Sequence, residues 1–194
     1  LRELPSYRLV IDLNLDQAVE RLATYAHHEH LLVLGCAVHR SLAEMAYLIK
    51  GEISCQLFGL NALPTFLDRP AWEVSCYHPE QAEALDLVAE TLGVELITVR
   101  DQVGMVTPRT LFLIMNEAFI VMEEGTASAD DIDQAMQLGT NYPRGPVAWA
   151  RAIGLDQVVG VLDRLREHLG NNRYAAAPLM QQEMMRQRAE SYRH

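Results

Sequence analysis

Apolar and polar positions follow two different rhythms along the chain. In the first hundred residues, short β-branched or leucine-rich runs alternate with helical stretches. Residues 8–12 (RLVID) read as a strand. Residues 16–26 read as a helix, with Ala18, Leu22 and Tyr25 near one face. The run LLVL at 31–34 is apolar throughout and ends at Gly35, the pattern of a parallel strand covered on both faces. Ser41 is placed to cap a helix carrying Leu42, Met45, Ala46 and Ile49, with Glu44 three residues on as its capping-box partner. Strands follow at 54–60 and 72–76. His78 and Pro79 open a helix with the stripe Leu85, Val88, Ala89 and Leu92, stopped by Gly93. A last strand covers 95–99. The order β-α-β-α-β-β-α-β predicts an α/β layer with a mostly parallel sheet.

The second half changes period. Thr107 and Pro108 form an N-cap and first-turn pair, and a helix runs on through Leu111, Ile114, Met115, Ala118 and Met122 to Gly125. Ser128 with Asp131 is a capping-box signature for a helix holding Ile132, Ala135 and Met136 and ending before Gly139. The segment NYPRGP at 141–146 is a rigid connection. Pro146 starts a short helix through Trp149 and Ile153. Asp156 caps another with Val158, Val159, Leu162, Leu165 and Leu169, ending at Gly170. A final polar helix starts at Pro178. No strand is predicted after Val103, so the expected division is 1–103 and 104–194. The helix after Thr107 has Leu111, Phe112, Leu113, Ile114, Phe119, Ile120 and Val121, more than one stripe, and so calls for burial on several sides. A domain of about 90 residues has little interior for that, which predicts a homodimer through these helices.

Composition narrows the function classes. The hydrophobic fraction of 49% supports a real core, and the net charge is -10. An acidic surface gives no counterion-release gain on a phosphate backbone, so nucleic acid is excluded as the expected partner. No run approaches the roughly 18 apolar residues of a membrane span, and no basic start precedes an apolar run. Cys36, Cys55 and Cys76 have apolar neighbours and no metal-type spacing. They read as reduced core thiols, which implies an intracellular, cytoplasmic setting. The chain starts at Leu1, and the expectation is either a trimmed fragment or missing upstream residues.

The stretch from Gly104 to Tyr174 resembles the C-terminal domain of 3-hydroxyacyl-CoA dehydrogenases. It has the triplet Asn116-Glu117-Ala118, the EEG turn at 123–125, the block ASADDIDQAM at 127–136, the YPRGP loop and the IGLD step, in that order. The resemblance is to the 3-hydroxybutyryl/3-hydroxyadipyl-CoA type of phenylacetate degradation. It implies oxidoreductase chemistry with NAD, a place in fatty-acid or phenylacetate catabolism, and a 3-hydroxyacyl-CoA ligand. The implied architecture is a degenerate, partial Rossmann-like layer (a truncated nucleotide-binding domain) followed by an all-helical 6-phosphogluconate-dehydrogenase-C-terminal-like domain. No GxGxxG follows a strand, so no cofactor or NAD site is expected in this chain itself.

Residue by residue, the resemblance implies an altered centre. The family's catalytic His falls on Asn61, whose amide accepts no proton near neutral pH. Its partner carboxylate falls on Glu73, which is kept. The substrate-positioning Ser falls on Val38 or His39, and the Asn at the start of the long helix falls on Pro108. Gly104 and Arg109 are kept. The candidate catalytic residues are therefore Glu73 as a relic and His39 as a replacement base, each weighed against an ordinary structural role. His27, His28 and His30 read as a solvated loop rather than a metal site. Asn116, unusual in mid-helix, reads as a bond across a helix interface, with a contact to an acyl thioester region in a full enzyme as the alternative. Three functions stay open. The first is the acyl-CoA-side and dimerisation part of a dehydrogenase. The second is a non-catalytic structural or regulatory domain. The third is an enzyme rebuilt on His39 and Glu73. The chain alone is expected to be inactive.

Overall fold

The computed structural model describes residues 6–192. Its elements are β1 (Leu9–Asp12), α1 (Leu22–Tyr25), β2 (Leu32–Cys36), α2 (Leu42–Ile49), β3 (Gln56–Leu60), β4 (Ala71–Cys76), α3 (Ala84–Leu92) and β5 (Glu95–Val99). Five helices follow: α4 (Thr107–Glu123), α5 (Ala129–Thr140), α6 (Pro146–Ile153), α7 (Leu155–Leu169) and α8 (Pro178–Ser191). The chain divides into two compact units, Leu1–Thr107 and Pro108–His194.

In the first unit the strands lie in sequence order, β1-β2-β3-β4-β5. All neighbours are parallel except β3 and β4. The short connection between those two leaves no room for a crossover helix, so the chain turns straight back. β2 is buried at every position. Its period-2 alternation sends Val33 to one face, with Leu15, Leu22, Leu42, Met45 and Leu57. Leu32 and Leu34 go to the other, with Phe58, Leu60, Val74, Leu85 and Val88. α1 and α2 thus cover one face and α3 the other.

The helix expected over 16–26 is much shorter. Residues 13–18 are turns, a 3-10 turn covers Val19–Arg21, and only Leu22–Tyr25 is α-helical. The reason is Asp16: its side chain is fully buried and bound to the backbone beyond β2, which holds this stretch in turns. Gly35 does not end β2. It lies within the strand, where a Cβ would come within 2.1 Å of Leu15 Cδ2, so the close packing of Leu15 favours glycine there.

In the second unit, α4 buries Leu111, Phe112, Met115, Ala118 and Phe119 on one face. Leu113, Ile114, Ile120, Val121 and Met122 remain half-buried. α5 begins as expected, with Ser128 Oγ accepting from Asp131 N–H, but it runs through Gly139 and ends on left-handed Asn141 at φ 56°. α7 begins at Leu155 with Gly154 before it, so Asp156 lies in the first turn rather than at the cap. No strand follows Val103 among the described residues.

Candidate functional site

The β3–β4 pair builds the position to which the resemblance assigns the base. Asn61 follows β3 directly, and its backbone N–H donates to Glu73 O at 2.9 Å. That bond sets the Asn61 and Glu73 side chains side by side. Asn61 Nδ2 lies 3.5 Å from Glu73 Oε2, a long contact. The remaining capacity of the carboxylate goes to backbone. Oε1 accepts from Val106 N–H at 2.6 Å and Thr107 N–H at 3.1 Å, and Oε2 accepts from Thr107 N–H at 3.2 Å. Glu73 therefore holds the orphan donors at the first turn of a helix, where a negative charge also suits the helix dipole. Asn61 and Glu73 are 2% and 8% exposed. Beside them lies a cavity of about 430 Å³, lined also by Phe66, Ile97, Val99 and Thr107.

His39 belongs to a different set, at the turn between β2 and α2. Asp16 Oδ2 accepts from Val38 N–H at 2.9 Å and His39 N–H at 2.7 Å, and faces His39 Nδ1 at 3.3 Å. Burial alone would raise the Asp16 carboxyl. The His39 ring and the two backbone donors outweigh it and hold Asp16 below the ordinary aspartate value. Cys36 Sγ lies 3.5 Å from the same oxygen. Burial first, and then the Asp16 charge, pushes the Cys36 thiol far up. Burial also raises Cys55, to about 11, so neither thiol is poised as a nucleophile. The carboxylate that orients His39 is thus Asp16, while Glu73 is engaged with Asn61, Val106 and Thr107.

The α2 N-terminus is filled by the chain's own groups. Asp101 accepts from Leu42 N–H at 2.8 Å and Ala43 N–H at 3.0 Å, and Ser41 Oγ accepts from Glu44 N–H. Burial raises the Asp101 carboxyl, with those two backbone bonds acting against it. Gly104 N–H donates to Val38 O at 2.7 Å and takes φ 75°, which is why glycine stands there. Sequence reasoning did not single out Asp101 as a cap, nor Asp16 as the partner of His39. The partners are 59 and 23 residues apart, and no spacing rule connects them.

In the second unit, Asn116 is a backbone clamp: Nδ2 donates to Ala175 O at 2.9 Å, and Oδ1 accepts from Ala177 N–H at 2.7 Å. Pro108 is buried in the first turn of α4. Arg109 Nε donates to the buried Tyr174 hydroxyl at 3.0 Å. His28 and His30 rings meet edge-on at 5.8 Å, and no group of three metal-type ligands exists among the described residues. No described helix is long and apolar enough to cross a membrane.

Residues 104–191 match the model of the 3-hydroxyacyl-CoA dehydrogenase C-terminal domain. The 3-hydroxyadipyl-CoA dehydrogenase of Escherichia coli (strain K12) is 40% identical over 90 residues, covering 46% of this chain and 19% of that protein. A probable 3-hydroxybutyryl-CoA dehydrogenase of Bacillus subtilis (strain 168) is 39% identical over 99 residues, 50% of this chain and 34% of that protein. These matches span about a third or less of those two relatives' length. In fold, the likeness extends to both units. The crystal structure of (S)-3-hydroxybutyryl-CoA dehydrogenase from Ralstonia eutropha aligns with a TM-score of 0.75 at 28% identity, over 93% of this chain and 66% of that one. The helical unit is thus similar in sequence to the C-terminal domain of the 3-hydroxyacyl-CoA dehydrogenases, and the fold of the chain resembles that of a solved 3-hydroxybutyryl-CoA dehydrogenase.

Proposed function

We propose that this chain supplies the acyl-CoA-side wall and the dimerisation domain of an NAD-dependent 3-hydroxyacyl-CoA dehydrogenase, and performs no hydride transfer by itself. The observation that carries this reading is the pairing of Asn61 with Glu73. The place of a base is held by an amide that takes no proton, and its carboxylate is engaged by the Val106 and Thr107 backbone. The fit to a dinucleotide is also poor. Its pyrophosphate needs free N–H groups at a glycine-rich turn or a helix N-terminus. Asp101 and Ser41 already take those of α2, and Asp16 takes those of the turn before it. The half-buried apolar positions of α4, from Leu113 to Met122, support the dimer.

A second reading, a non-catalytic structural or regulatory domain, is favoured by the role of Glu73 as a holder of backbone donors. One pair of measurements separates the readings. Calorimetry with 3-hydroxybutyryl-CoA should give binding, and the same sample with saturating NAD should form no NADH. Absence of binding would leave the structural domain. Turnover abolished by His39→Ala would promote the rebuilt enzyme. Asn61→His alone should not restore activity, because the dinucleotide site is still lacking. Ultracentrifugation should give at least a dimer, and a monomer mass at tens of micromolar would count against the dimer.

A further inference from the structure

Two arginines of the helical unit converge on one oxygen. Arg109 Nε donates to the Tyr174 hydroxyl at 3.0 Å, and Arg173 Nη2 donates to the same oxygen. Their guanidinium carbons stand 5.8 Å and 4.7 Å from the centre of the Tyr174 ring. The local backbone places all three. Arg109 lies in the first turn of α4. Arg173 and Tyr174 lie in a 3-10 turn, Asn172–Tyr174, which Asn171 Oδ1 starts by accepting from Arg173 N–H at 3.0 Å. The Asn116 clamp on Ala175 and Ala177 ties the segment after that turn to α4. Tyr174 is fully buried, Arg109 half-buried and Arg173 exposed.

The charge at this place is unbalanced. Arg21, Arg40, Arg151, Arg164 and Arg166 each face a carboxylate within 4.0 Å. Among the described residues Arg109 and Arg173 pair with none, although the chain has a net charge of -10. The two donors fill the acceptor capacity of the phenol oxygen, and its own proton has no acceptor among the described residues. Each guanidinium keeps further N–H groups beyond the one given to Tyr174. Water solvates an exposed guanidinium, but it does not neutralise two of them held on one oxygen. We infer that Arg109, Arg173 and Tyr174 form a binding site for a phosphate monoester. A carboxylate presents two oxygens in one plane and matches the edge of a single guanidinium. Three separate donor groups and two cations match the three terminal oxygens of a phosphate monoester and its charge of about -1.5 to -2. The site lies in the helical unit and does not depend on the acyl-CoA reading.

The test is titration of the chain with inorganic phosphate at constant ionic strength, followed by NMR of the arginine Nε–H signals. Arg109 and Arg173 should shift together and saturate with one dissociation constant. Arg188, exposed near the end of α8, should not respond. Arg173→Gln, an exposed change, should weaken phosphate binding roughly tenfold or more, the size of one charge-assisted hydrogen bond. Tyr174→Phe keeps the ring, removes the hydroxyl and should weaken it as well, while Arg188→Gln leaves it unchanged. Should Tyr174→Phe fail to fold, Arg173→Gln and its Arg188 control still decide. Acetate should bind roughly tenfold or more weakly than phosphate. Adenosine 3′,5′-bisphosphate, which carries the 3′-phosphate of coenzyme A, identifies the source. Tighter binding than inorganic phosphate points to a nucleotide-borne group, and equal or weaker binding to free phosphate. A linear response without saturation, or equal losses in Arg173→Gln and Arg188→Gln, would reduce the effect to general charge attraction and overturn the site. Acetate binding as tightly as phosphate would overturn the ligand class.

Discussion

The two units use the same device for different ends. Each places a carboxylate on the first N–H groups of a helix. In the helical unit, Asp133 Oδ1 accepts from Val147 at 2.8 Å and Oδ2 from Ala148 at 2.9 Å, at the start of α6. In the sheet unit, Asp101 does this for α2 and Glu73 for the backbone at Val106 and Thr107. The helical unit combines such caps with well-matched apolar stripes, and it is also the unit that matches its relatives in sequence. In the sheet unit the buried polar groups surround a cavity and a strand-to-helix turn, and three of them keep an unpaired atom: Asp16, Asn61 and Ser75. The difference teaches that, among the described residues, the buried polar side chain of the helical unit, Asn116, is fully engaged with backbone. The sheet unit carries polar groups whose placement stability alone does not explain.

The two tryptophans allow this comparison to be tested, because Trp72 lies in the sheet unit and Trp149 in the helical one. With one of them changed to Phe, fluorescence during urea unfolding reports a single unit. The largest effect is expected for core truncation. Phe112→Ala should cost about 3–5 kcal/mol in the Trp149 signal, and Phe58→Ala a similar amount in the Trp72 signal. If each variant shifted both signals equally, the two units would unfold as one. Next comes Asn116→Ala, which leaves Ala175 O and Ala177 N–H unpaired. About 1–3 kcal/mol should be lost from the Trp149 transition, with faster amide exchange at Ala177. An unchanged midpoint would refute the clamp.

Removing the caps should act more weakly. Asp133→Ala is expected to cost about 1–2 kcal/mol in the Trp149 signal, and Glu73→Ala about the same in the Trp72 signal. The smallest effect concerns pH. The Asp16 carboxyl is held below its ordinary value in the folded state, so its contribution is fully present above the unfolded value of 3.8 and fades as pH falls through the lower folded value. The Trp72 midpoint should therefore drop more steeply below about pH 4 than that of Asp16→Asn. Parallel pH profiles for the two proteins would show that ionised Asp16, with its Val38 and His39 contacts, does not contribute to stability.

Much of the fold was legible because its signals are local. The apolar run at 31–34, the cap Ser41 with Glu44, and the stop at Gly93 all reappear as β2, α2 and the left-handed end of α3. Where local signals misled, a distant partner was responsible. The apolar spacing after Asp16 suggested a long helix, but the bonds from Val38 and His39 hold Asp16 in a turn. Gly139 looked like a stop, yet α5 continues through it, since a glycine costs a helix only about 1 kcal/mol and Asn141 provides the left-handed end. The candidate site was legible in its residue types. The replacement of a base by Asn61 and the retention of Glu73 follow from the resemblance, but their bonding does not.

By itself, the sequence determined the period of most segments, the change from a sheet-forming to an all-helical part and the chemistry Asn61 lacks, because those depend on residue type and near-neighbour spacing. Only the tertiary structure decided which carboxylate meets which donor. Asp16 rather than Glu73 faces His39, and Glu73 meets Asn61 and the backbone at Thr107. A carboxylate can satisfy any donor within hydrogen-bond reach, and the sheet register, not the sequence order, brings groups 12 to 34 residues apart into that reach.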